Sequence, residues 1–192
     1  MASARTTGMI GMTSVALFAV SLAVFGALNP GYSHLTNAVS ELGAVRAPNQ
    51  LAWNLIGFLG VGLLLCAFGR GLGRVLGTAS AGWLLVLFGL SFAATAIPAD
   101  MGDLGAPTSV AHIAASQAVL LFWLLALIRL VFVRSFGLTL RLVTGLALLL
   151  AIGTVVVRGA ELLPPGLTQR LSFAVVLGWV LAVSAALFRR AP

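Results

Sequence analysis

Long apolar runs separated by short polar interruptions set the pattern of this chain. Six such runs stand out, at about 9–28, 51–69, 76–97, 109–131, 138–157 and 171–188. Each has or approaches the roughly 20 apolar residues that a helix needs to cross a hydrocarbon core. None carries an acid in its interior, as expected where a central charge costs about 2.5–3.5 kcal/mol. Arg129 sits near the end of its run, where a long side chain reaches the interface. A closed β-barrel would show short segments of alternating polarity, and these runs do not alternate. The pattern predicts an all-α, polytopic membrane bundle of six transmembrane helices, folded as a single membrane domain over 1–192. The first run is longer than the 7–15 residues of a signal-peptide core, and no Ala-x-Ala site follows it, so it is read as a retained helix.

Composition sharpens the class. Only 8% of the 192 residues are charged and 60% are hydrophobic, against roughly a quarter charged in a soluble domain. Both a soluble cytosolic protein and a disordered one are excluded. The formal charge of +7 comes from arginines scattered between apolar runs, so it is read as topology and not as a nucleic-acid surface. With the N-terminus inside, Arg5, Arg70, Arg74, Arg129, Arg134, Arg141, Arg189 and Arg190 fall on the cytoplasmic side. Arg46, Arg158, Arg170 and all four acids fall outside. The positive-inside bias thus predicts cytoplasmic termini for a multi-pass protein of a bacterial inner (plasma) membrane. Lone Cys66 permits neither an intrachain disulfide nor a multi-thiolate metal site.

The predicted inner connections hold little but arginine and glycine. Gly69-Arg70-Gly71-Leu72-Gly73-Arg74 lacks the strand that a phosphate-binding glycine loop requires and is read as a flexible cytoplasmic turn. The polar residues collect on the other side. The longest connection, about 29–50, contains His34, Asn37, Ser40, Glu41, Arg46, Asn49 and Gln50, with Asn54 just beyond. Asn37 or Ser40 is expected to cap a short helix there, ended by Gly43, and the connection is expected to fold back over the helix mouths. Asp100 and Asp103 follow the third run. His112 and Gln117 open the fourth, Arg158 and Glu161 close the fifth, and Gln169 and Arg170 open the sixth.

Ionisable groups at helix mouths are candidates for a functional site; solvated loops carry the same residue types, and Arg158 and Glu161 have the spacing of a simple helix-end pair. His112 is set one turn inside an apolar helix and needs a polar partner, for which Glu41, Ser40 and Asp100 are the expected choices. In a catalytic reading, His112 is the proton carrier, Glu41 or Asp100 orients it, and Ser40 is the nucleophile. Arg158 or Arg170 would hold a phosphate, with Asn54 and His34 as further binding candidates. A haem-binding four-helix core needs axial His pairs within spans, and two histidines, one in a loop, could ligate at most one haem. A zinc site from His34, His112 and Asp100 or Glu161 has no recognisable spacing. Ser91 in an apolar helix reads as a back-bonded hydroxyl, and no mid-membrane carboxylate suggests an ion pump. No metal and no cofactor is expected; the expected partners are the bilayer and a lipid headgroup, with no nucleic acid.

Ser40-Glu41-Leu42-Gly43, then Pro48, then Asn54 and Gly57 opening an apolar helix, resembles the bacterial domain-of-unknown-function 998 family. Pro98 and Asp100 before the helix with His112, and Gly166-Leu167-Thr168-Gln169-Arg170 before the last run, extend the resemblance along most of the chain. It implies a six-helix integral membrane protein with no established activity, and singles out Ser40, Glu41, Gly43, Asn54, His112 and Arg170. Two functions remain open: a non-catalytic binding, scaffold or transport-accessory protein with an outward-facing polar pocket, or a membrane-embedded hydrolase or transferase acting on a lipid.

Overall fold

The computed structural model describes residues 3–190. Among them the regular structure is entirely helical: α1 (Ala4–Leu28), α2 (Gln50–Val75), α3 (Ala79–Ala94), α4 (Pro107–Val131), α5 (Leu138–Gly159) and α6 (Pro165–Arg190). Five of these are long and apolar enough to cross a membrane; α3, with 16 residues, is shorter. The protein is therefore a multi-pass helical membrane protein.

Local chemistry sets several helix ends. The Ser3 hydroxyl accepts the Thr6 N–H at 3.1 Å and caps α1. Pro107 and Pro165 occupy first positions of α4 and α6, where a missing N–H and a fixed φ cost nothing. Gly77 and Gly137 have φ of 67° and 79°, a conformation open to glycine, and they turn the chain out of α2 and into α5.

Two expected boundaries are corrected. Residues 69–74 are not a flexible turn but the last turns of α2. The glycines there are packing surfaces: an added Cβ on Gly69 would stand 2.5 Å from Leu85 Cβ, and one on Gly73 2.6 Å from Gly82 Cα. Such close approach of helix backbones is what small residues permit in a membrane. The same α2–α3 seam continues at Gly62, whose Cβ would lie 2.4 Å from Ala93 N. The second correction is α6, which starts at Pro165 and takes in the Gly166–Arg170 segment expected to precede it. Within α2, residues Asn54–Gly60 form a π-helical stretch, a widened turn often found at functional or specialised sites.

α1 packs between α2 and α6, α3 lies between α2 and α4, and α5 touches both α4 and α6. Phe18, Trp53, Phe58, Phe92 and Phe173 fill one half of the interior with ring centroids 4.7–6.1 Å apart. Trp123, Trp179 and Phe68 fill the other.

Candidate functional site

The 29–49 connection does not project away from the bundle. Its backbone is tied to α6 by Leu167 N–H to Leu35 O at 3.0 Å and Gly166 N–H to Thr36 O at 3.3 Å. Val45 N–H to Ala99 O at 2.9 Å ties it to the 95–106 connection. A Cβ on Gly166 would fall 2.5 Å from Asn37 O, so the two segments lie in direct backbone contact.

Within this connection, Val39–Gly43 forms a 3₁₀ turn. The expected caps, Asn37 and Ser40, are replaced by a different arrangement. Glu41 reaches back to accept the Ala38 N–H and the Asn37 Nδ2–H, both at 2.6 Å, as the acidic half of a capping box does. Gly43 then meets α2. Asn54 Nδ2 donates to Gly43 O at 2.9 Å, and a Cβ at position 43 would overlap Asn54 Oδ1. The Ser-Glu-Leu-Gly to Asn54 block is thus one packing unit. Asn54 and Glu41 are engaged in it and line no cavity.

Arg170 fastens the connection. Its Nη1 donates to Asn37 O and Gly166 O, both at 2.9 Å, and its Nη2 to Tyr32 Oη at 2.6 Å. Nη2 and Nε converge on His34 Nδ1 at 3.0 and 3.3 Å. A guanidinium has five N–H donors, and all five are directed at this connection or its own helix. Arg170 and His34 are therefore structural ties, and no donor of Arg170 remains for a ligand phosphate. Burial, and secondarily the Arg170 charge, lower the His34 pKa from its ordinary value. Burial raises that of Tyr32, with Arg170 opposing.

Beneath this cover lies a cavity of about 890 Å³. Its origin is visible along two helices. The buried positions of α5 stop at Ala151, and α4 has none between His112 and Trp123. These stretches lie at the end of the bundle that carries the 29–49 connection, where α4 and α5 part. Ile113, Gln117 and Val155 line the gap and are exposed, so the cavity is open sideways between the two helices. Phe58, Phe92 and Phe173 form its aromatic wall. Its polar lining includes Ser40, His112, Ser116, Gln117, Arg158, Glu161 and Ser172.

His112 is partnered, but by none of the expected side chains. Its Nδ1 lies 2.8 Å from Ile97 O. A carbonyl only accepts, so Nδ1 carries the proton, and in the neutral ring Nε2 is left as an acceptor. The ring is otherwise packed edge-on to Phe58 at 6.2 Å. Asp100, the other carboxylate proposed as its partner, accepts the Gly102 N–H at 2.9 Å and closes its own turn. Glu161 adopts φ 52° just past α5 and is joined to Arg158 by a backbone bond, Glu161 N–H to Arg158 O at 3.2 Å.

Of the residues singled out in the sequence, the fold brings Ser40, His112, Arg158, Glu161, Gln117 and Gln169 around one cavity. Glu41, Asp100, Asn54, His34 and Arg170 lie outside it. Sequence reading missed the aromatic wall and the hydroxyls of Ser116, Ser172 and Thr154, because Phe, Ser and Thr in an apolar run read equally well as core. Tyr32, the second side-chain partner of Arg170, was also missed; its being the chain's single tyrosine, placed in the longest connection, was the available signal. Among the described residues, no three His, Cys, Asp or Glu lie together as a metal site would require.

Comparison with curated proteins and with solved structures returns no match to either. A family model described as a protein of unknown function, DUF998, matches residues 12–186, and the chain belongs to that family.

Proposed function

We propose that this protein binds a membrane amphiphile, without transforming it, in the cavity between α4 and α5. The observation that carries the reading is the lining, which combines aromatic and aliphatic side chains with hydroxyl, amide and charged groups, and has a lateral opening between two lipid-exposed helices. A volume of about 890 Å³ falls in the range of small-molecule sites, about 300–1,000 Å³. A chain of methylene groups enters such a wall for the ordinary hydrophobic gain of about 0.8 kcal/mol per CH₂ relative to water. From the bilayer that gain largely vanishes, so selectivity must come from the polar groups. The arginine distribution supports a reading with this end of the bundle on the outer face of a bacterial plasma membrane. Binding there suits a scaffold or transport-accessory role.

The test is the lipid retained through purification. The full chain, extracted in mild detergent, is expected to carry one tightly held lipid by native mass spectrometry, and Ser172→Phe, which sets a ring into the cavity beside Phe173, is expected to lose it. Equal retention by wild type and Ser172→Phe would overturn the reading.

One observation favours catalysis as a second reading. His112 is oriented by a backbone carbonyl with its remaining ring nitrogen available, a geometry suited to a general base in a lipid hydrolase or transferase. If so, His112→Gln would keep bound lipid yet abolish any change in lipid composition caused by overproduction of the wild type.

A further inference from the structure

The polar lining of the cavity contains two formally charged residues of opposite sign, Arg158 and Glu161, three positions apart at the end of α5. The remaining arginines and carboxylates near this end, Arg46, Arg170, Glu41, Asp100 and Asp103, do not line the cavity. Arg170 is saturated by the 29–49 connection, and Glu41 and Asp100 hold their own turns. We infer that the occupant is a zwitterionic phospholipid, with its phosphate against Arg158, its ammonium against Glu161 and one acyl chain along Phe58, Phe92 and Phe173. The assignment rests on the amphiphile-binding reading above and specifies its headgroup.

The argument is one of charge complementarity. An anionic headgroup would satisfy Arg158 but set its negative charge beside Glu161, and like-charge juxtaposition is a strong discriminator against a wrong partner. An uncharged glycolipid or diacylglycerol would leave both residues with hydrogen bonds of the weaker, neutral-partner kind. A headgroup with a phosphodiester and an amine a few bonds apart matches both charges at once. Arginine suits the phosphate because its planar fork presents paired donors. The amides of Gln117 and Gln169 and the hydroxyls of Ser116 and Ser172 line the same cavity, between the charged rim and the aromatic wall. They are the kind of donor that the ester carbonyls of a glycerolipid accept from. Gln169 Oε1 already accepts the Val39 N–H, which fixes its amide and leaves its N–H groups as donors.

The test uses the full chain reconstituted in vesicles of equimolar phosphatidylethanolamine and phosphatidylglycerol with matched acyl chains, re-extracted and read by native mass spectrometry for the lipid retained. Wild type is expected to prefer phosphatidylethanolamine by roughly three- to tenfold, the discrimination that about 0.7–1.4 kcal/mol supplies. Glu161→Gln should bring that ratio towards one while keeping a lipid bound, and Glu161→Arg should reverse it. Arg158→Gln should lower retention of both phospholipids. Glu161 is exposed outside the helices and Arg158 is exposed in the last turn of α5, so these changes leave the fold intact. Equal retention of the two lipids by wild type, preference for phosphatidylglycerol, or a ratio unmoved by both Glu161 variants would overturn the headgroup assignment and leave cavity binding standing. Failure of Ser172→Phe to displace lipid would overturn the parent reading instead.

Discussion

Replacing Arg170 by methionine removes the side chain that joins α6 to three groups of the 29–49 connection and also bonds a carbonyl of its own helix. The carbonyls of Asn37 and Gly166, Tyr32 Oη and His34 Nδ1 all lose a charged donor at 2.6–3.0 Å, and the guanidinium also leaves the Tyr32 ring, 5.6 Å from its carbon. A hydrogen bond to a charged group contributes about 1.5–3 kcal/mol. Four in one network do not add, and water reaches part of this site, so a total near 3 kcal/mol is expected. For a chain of this size each kcal/mol moves Tm by about 2–4 °C, giving a fall of roughly 6–12 °C. Arg170→Lys keeps the charge but not the fork and should lie between the two. Thermal unfolding in mild detergent measures the shift. Tryptic cleavage after Arg46, an exposed residue held at φ 72° in the same connection, measures whether the cover has come loose. A Tm for Arg170→Met within 2 °C of wild type, with cleavage after Arg46 no faster, would refute the clamp and return Arg170 to the list of ligand-binding residues.

The other predictions concern the same end of the bundle. Because the folded His34 has its pKa lowered, the unfolded chain takes up the proton first as pH falls through about 6.5, so this group removes stability towards acid and restores it above neutrality. The fall in Tm between pH 7.5 and pH 5 should be larger for wild type than for His34→Asn; an equal fall would show that protonation of His34 is not linked to folding. Orientation is checked by single cysteines at Asp103 and Arg134, both exposed, in a Cys66→Ala background. An impermeant maleimide on intact cells should reach position 103 directly and position 134 only after permeabilisation. The reverse pattern would move the cavity to the cytoplasmic face.

Much of the architecture is legible in one dimension because a bilayer imposes its rule residue by residue. Backbone polar groups must be satisfied within a segment, so a run such as 138–157 has little choice but helix, and α5 follows it closely. Family membership was likewise readable from local blocks. The glycine-rich 69–74 segment was misread because glycine is ambiguous by itself. The same residue that loosens a turn also lets two helices touch, and only the presence of Gly82 and Leu85 across the seam decides between them. The candidate site was half legible for a related reason. Polar residues at helix mouths announce themselves, so Ser40, His112 and Arg158 could be named. Which of them share a cavity depends on where α4 and α5 diverge, and that is a property of packing between segments distant in the chain. In sequence, Arg158 and Arg170 are alternatives for holding a phosphate, each an arginine near the expected end of an apolar run. Tertiary structure separates them, since the 29–49 connection folds onto α6 and consumes every donor of Arg170, while Arg158 lies beyond its reach at the rim of the cavity.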